Sequence, residues 1–141
     1  MPLNKPIAEL GRTLGDELLA PHRCYWPTVE PLLACGWLTG LVHITGGGIT
    51  DNTPRILPAG ARAEVNLGSW PVLPIYDLIA RRGDVPPDDM LRTFNMGLGM
   101  LLIVSPRDLP KVTTALKKRR EKFWNIGRII PGKPGVRYLQ V

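Results

Sequence analysis

The stretch HITGGGITDN, residues 43–52, sets three consecutive glycines behind a short apolar run and just ahead of a Pro-Arg pair. Backbone amides with no Cβ beside them can converge on an anion, and a following helix start adds partial positive charge. Gly46, Gly47 and Gly48 are therefore candidate phosphate donors, flanked by Thr45 and Asn52, with Arg55 behind them as a fork-shaped partner for phosphate. The pattern is neither GxxxxGK[ST] nor GxGxxG, and a tight turn that needs positive φ accounts for it equally well. His43 is a candidate base or donor to an anionic intermediate; the alternative is a hydrogen-bonded histidine at a strand edge.

A second glycine feature is FNMGLGM, residues 94–100. Gly97 and Gly99, two apart at the start of an apolar strand, would leave bare backbone on one face for a ligand or another element to approach. Asn95 precedes them as a polar contact. In GSWPVLPIY, Trp70 sits between Ser69 and Pro71 at a strand exit, where it either lines a pocket or caps the core. No Ser-His-Asp order, carboxylate pair or metal-ligand cluster is legible, so no metal ligands are expected. The two cysteines, Cys24 and Cys35, read as reduced, partly buried thiols of a cytosolic protein.

Elements must position these residues. TVEPLLACG predicts a helix with Thr28 as its N-cap and Gly36 as its stop. Residues 41–45 predict a strand with His43 and Thr45 on one face. TPRIL suggests a brief helix and ARAEVNL a half-buried alternating strand. Val72, Ile75, Tyr76 and Ile79 recur at helical spacing, with Asp77 and Arg81 as an i,i+4 pair. DVPPDDMLRTF carries helix-start signals, and GMLLIV has central-strand length. Leu109, Val112, Leu116 and Phe123 share a helical face behind Asp108. WNIGRII and VRYLQV close the chain as strands. The expected architecture is α+β layers around a mixed sheet, with a lead-in segment over residues 1–20 and one domain over 21–141.

The chain has 141 residues, enough for one real core. It carries 18 Lys and Arg against 12 Asp and Glu, and the whole excess of +6 lies towards the C-terminus, around KKRREK at residues 117–122. A solvated helix end complementing the macrodipole explains that run better than a nucleic-acid patch, because no aromatic platform accompanies it. No apolar stretch approaches membrane length and the N-terminus lacks an apolar signal core, so a cytoplasmic location without membrane contact is expected.

Taken together, LGDELLAPHRCY, HITGGGITDNTPR, GSWPVLPIY and MLRTFNMGLGM, in this order and spacing, resemble the C-terminal domain of aminoimidazole ribonucleotide synthetase, the phosphoribosylformylglycinamidine cyclo-ligase of purine biosynthesis. The resemblance runs from about Leu14 onward. It implies an α/β/α-layered, partly ferredoxin-like domain with a mixed sheet, packed on a separate N-terminal ATP-binding domain. It also implies an ATP- and Mg-dependent ring closure of formylglycinamidine ribonucleotide in a cleft between the two domains. Gly46, Gly47 and Gly48 would then form the phosphate-facing loop, with Asn95, Gly97 and Gly99 near the same cleft. No counterpart of the family's Asp-rich metal–ATP segment is expected here, so the chain would need a separate ATP-binding half or would self-associate. The alternative is a stand-alone, non-catalytic interaction or phosphate-binding module. His22 departs from the family's PTR-Y pattern, which carries threonine there, while Arg23 and Tyr25 match it.

Overall fold

Prolines open the helices and glycines close or redirect the chain, which breaks it into short elements. The computed structural model describes residues 1–140, so the end of the expected last strand, Val141, lies outside them. In chain order the elements are β1 (Pro6–Ile7), β2 (Arg12–Thr13), α1 (Leu14–Leu18), α2 (Trp26–Ala34), β3 (Leu38–His43) and α3 (Gly48–Asn52). A 3-10 turn (Thr53–Ile56) leads into β4 (Ala61–Leu67), α4 (Pro74–Gly83), α5 (Pro87–Thr93), β5 (Met100–Val104), α6 (Leu109–Lys118), β6 (Gly127–Pro131) and β7 (Val136–Gln140).

The mixed sheet has β4 in the middle, antiparallel to β6 and parallel to β7. A separate antiparallel ladder joins β3 to β5, pairing His43 with Met100 and Val42 with Leu101. Between the two sheets lies a core of Val42, Ile44, Ile49, Val65, Trp70 and Leu98. A second cluster packs α2 on α6 through Leu32, Val112 and Leu116. The lead-in segment is not loose, because Ile7, Leu10 and Leu14 pack against Ile75 and Leu78 of α4.

Several expectations are corrected. Helix α2 starts at Trp26, not after Thr28: Pro27 pre-sets helical φ in its first turn. The Thr28 hydroxyl donates instead to Glu121 Oε1 (2.6 Å). Strand β3 runs earlier than expected, which leaves Thr45 beyond its end. Val72 precedes α4 and is exposed, and Arg81 pairs with Glu9 rather than with the Asp77 carboxylate. Phe123 lies beyond α6 yet still packs on that helix's cluster. In β4 the alternation fails at Glu64, which is buried between Ala63 and Val65 and paired with Arg128 (2.8 Å) and, more distantly, Arg137 (3.8 Å) on the flanking strands. Both cysteines are free and exposed rather than partly buried. Lys117 and Lys118 occupy the last turn of α6, where cations complement the helix dipole.

Candidate functional site

The glycine triplet is not one uniform loop. Gly46 has ordinary φ and open space around it. Gly47 turns the chain at φ +100° as the N-cap of α3, which the sequence had not announced as a helix. Gly48, at φ +57°, is buried where a side chain cannot go: a Cβ there would collide with the Leu91 carbonyl and lie 2.7 Å from Phe94 O. Its amide donates to Thr45 O (3.0 Å), so it is closed to a ligand. Among the described residues, the amides of Gly46 and Gly47 have no backbone acceptor outside the helices and strands. The triplet thus divides its labour: Gly48 lets α3 pack on α5, Gly47 turns the chain into α3, and Gly46 is left open.

Asn52 is the clamp of this loop. It is buried, and its Nδ2 donates to Gly48 O (2.8 Å), Gly46 O (3.2 Å) and Thr45 O (3.3 Å). The reading of Asn52 as a ligand contact is corrected accordingly, since its amide faces the loop's own carbonyls. From the other side of α3, Thr50 donates to Leu91 O (3.2 Å) and meets the Tyr138 hydroxyl at 2.8 Å. Burial pushes the Tyr138 phenol above its ordinary pKa.

In front of the loop lies a cleft of about 320 Å³ lined by His22, His43, Ile44, Thr45, Gly46, Tyr76, Thr93, Phe94 and Asn95. Asn95 Oδ1 accepts from the Tyr76 hydroxyl (2.5 Å) and from the Gly97 amide (2.9 Å), which holds its side chain in place. Burial raises the Tyr76 pKa above its usual value, so the phenol remains a donor. On another wall, His22 Nε2 stands 3.2 Å from His43 Nε2. Both imidazoles are exposed and come from separate segments: the connection after α1 and the end of β3.

Among the expected site residues, His43, Thr45, Gly46 and Asn95 share this cleft. Trp70 does not reach it; it is buried in the core and its Nε1 donates to Met96 O (2.9 Å). Gly97 and Gly99 do not open one face of a strand, because they lie in the turn ahead of β5, with Gly97 at φ +94°. The Tyr25 ring fills the space beside Gly99, so the protein itself makes the close approach. Arg55 is exposed in the 3-10 turn and does not line the cleft. The sequence reading missed His22, Tyr76, Thr93 and Phe94 as cleft residues. His22 alone had a signal, its departure from the family pattern.

The lining carries no carboxylate, and among the described residues no group of three or more His, Cys, Asp or Glu side chains is placed to hold a metal ion. Mg²⁺ prefers hard carboxylate oxygens and phosphates, so this donor set does not fit the Mg–ATP that the resemblance implies. What the cleft offers is polar groups without a carboxylate: the Gly46 amide, threonine and tyrosine hydroxyls, the Asn95 carboxamide and two imidazoles. Such a set suits an oxyanion or a carbonyl oxygen. Among the described residues, no helix is long and apolar enough to cross a membrane.

Phosphoribosylformylglycinamidine cyclo-ligase of Brevibacillus brevis is 46% identical over 138 residues, covering 98% of this chain and 40% of that protein. The enzyme of the same name from Enterococcus faecalis is 48% identical over 86% of this chain and 34% of its own length. The bifunctional purine biosynthetic protein purD of Dictyostelium discoideum is 44% identical over 86% of this chain and 15% of its own length. The chain therefore spans well under half of these relatives. The crystal structure of E. coli HypE, a hydrogenase maturation protein, aligns at a TM-score of 0.63 over 89% of this chain and 41% of that one; at 21% identity this concerns the fold alone. The profile described as AIR synthase related protein, C-terminal domain, matches residues 3–139, and the chain belongs to that family.

Proposed function

We propose that this chain supplies the substrate-facing wall of a phosphoribosylformylglycinamidine cyclo-ligase, the enzyme that closes the imidazole ring of aminoimidazole ribonucleotide with ATP. The observation that carries the reading is the cleft whose lining brings together the open Gly46 amide, Thr45 and the held Asn95 side chain. Amides and hydroxyls of this kind bind the phosphate or the amide oxygen of a phosphoribosyl substrate without a charged partner. His43, which lines the same cleft, serves as donor or base near the reacting amide.

Ring closure also needs ATP, which activates the amide oxygen as a phosphate ester before a nitrogen displaces it. With no carboxylate in the cleft, that activation belongs to a separate ATP-binding half, and this chain alone turns nothing over. The reading also assigns the chain to the cytoplasm and expects no nucleic-acid partner.

Isothermal titration with formylglycinamidine ribonucleotide tests this. Weak binding is expected, reduced by Asn95→Ala and competed by inorganic phosphate, with no ATP hydrolysis. Absence of heat at millimolar ribonucleotide overturns it. A second reading, a non-catalytic docking module, has its own support: Leu18 and Leu19 around α1 are 59% and 83% exposed, and Leu3, also exposed, accepts a backbone bond from Gly15 of that helix. Light scattering that finds a strict monomer without dye-binding apolar surface removes this second reading.

A further inference from the structure

The contact between His22 and His43 brings two exposed imidazoles together at the cleft. Two flexible, solvated rings from segments 21 residues apart place their Nε2 atoms 3.2 Å from each other, with ring centroids 5.3 Å apart and planes tilted by 49°. A simple hydrogen bond between them requires opposite tautomers, one ring donating and the other accepting. In water such a bond between exposed groups is worth little. The same spacing has another consequence. Imidazole nitrogens sit about 2.0–2.1 Å from a zinc ion, so two ligands on one ion lie roughly 2.9 Å apart at an octahedral edge and roughly 3.4 Å apart at a tetrahedral edge. The observed separation falls between these limits.

We propose that His22 and His43 form a two-imidazole site for a borderline divalent metal ion of the Zn²⁺, Ni²⁺ or Cu²⁺ class, at the wall of the cleft. Small rotations of both exposed rings turn their Nε2 lone pairs from each other towards a common point. Neutral imidazole is the donor this class of ion prefers, and a lining without carboxylates selects against Mg²⁺ and Ca²⁺. No third His, Cys, Asp or Glu joins the pair among the described residues, so the remaining coordination positions are left to water or to an oxyanion entering the cleft. Metal binding by the two imidazoles does not require a phosphoribosyl compound, but with metal bound the His43 Nε2 is a ligand and no longer the donor or base of the ribonucleotide reading.

The test uses the chain with Cys24→Ser and Cys35→Ser, so that the two exposed thiols do not compete for metal. Zn²⁺ is titrated by calorimetry and followed by imidazole ¹⁵N resonances. The expected result is one ion per chain, with the Nε2 signals of both histidines shifting together. His22→Thr and His43→Ala should each weaken binding by about tenfold or more, since loss of a ligand exceeds the loss of its orienting partner. Mg²⁺ at the same concentration should move neither signal. Binding that survives His22→Thr unchanged, or no response of either imidazole at millimolar Zn²⁺, overturns the proposal. Thermal melts of the variants without metal establish that they are folded.

Discussion

Alanine substitution at each member of the glycine triplet separates what the three residues do. At Gly48 the left-handed φ of +57° places a Cβ against the Leu91 carbonyl and 2.7 Å from Phe94 O, both backbone atoms of α5 and its exit. An L-residue in that conformation costs about 1–2 kcal/mol. Moving α5 away also breaks the 3.2 Å bond from Thr50 to Leu91 O, which adds about 1 kcal/mol. Some repacking of Ile49, Met90 and Leu91, all buried, must follow. The expected loss for Gly48→Ala is therefore about 3 kcal/mol, or a fall of about 9 °C in melting temperature for a domain of this size. Gly47→Ala has the conformational strain and a 3.0 Å approach to the Asp51 Cβ, but no backbone collision, so about 1–2 kcal/mol is expected. At Gly46 nothing lies within 4 Å and φ is ordinary, so the change should stay within about 0.5 kcal/mol. Urea denaturation with thermal melts measures the series. If Gly46→Ala destabilises as much as Gly48→Ala, or Gly48→Ala is neutral, the division of roles within the triplet is wrong.

Asn52→Ala removes a buried amide that serves three loop carbonyls, and should lower stability by about 2–3 kcal/mol in denaturant melts. Tyr76→Phe deletes one donor to Asn95 Oδ1 and leaves the Gly97 amide as the other, so a loss of about 1 kcal/mol is expected, with weaker ribonucleotide binding than in the parent. The Asp108 carboxyl is held down from 3.8 to about 2, chiefly by Lys111 and then by the Ser105 hydroxyl. A lowered carboxylate pKa adds stability above the ordinary value and loses it as pH falls, so Asp108→Asn should flatten the decline between about pH 4 and pH 2 in acid melts.

Much of the fold was readable from pattern. The apolar spacing of α6, the proline-led start of α5 and the apolar run of β5 each sit where their periodicity and punctuation placed them. Helix α3 escaped because glycines mask a helix start that carries no capping side chain. Helix α2 was placed too late because a threonine outranked an earlier proline. Glu64 broke the alternation of β4 because its arginine partners arrive from strands about 64 and 73 residues further on, which no local rule links to it. The cleft was half legible. His43, Thr45, Gly46 and Asn95 belong to recognisable segments, whereas Tyr76, Thr93 and Phe94 are ordinary helix or helix-exit residues until the chain folds over them. Trp70 and Gly99 were read as ligand contacts for a sound reason, bare backbone and a clamped aromatic, but internal packing uses both.

The parallel pairing of β7 with β4 has a consequence for the order of assembly. Residues 136–140 complete the sheet under α3, and Tyr138 is the residue that grips Thr50 there. During synthesis from the N-terminus, the glycine loop is made long before the strand that anchors its floor leaves the ribosome. The loop must wait, half supported, for nearly ninety further residues, since Thr50 and Tyr138 lie 88 apart. Shortening or tagging the chain near its far end would therefore disturb a cleft whose glycines lie near its beginning.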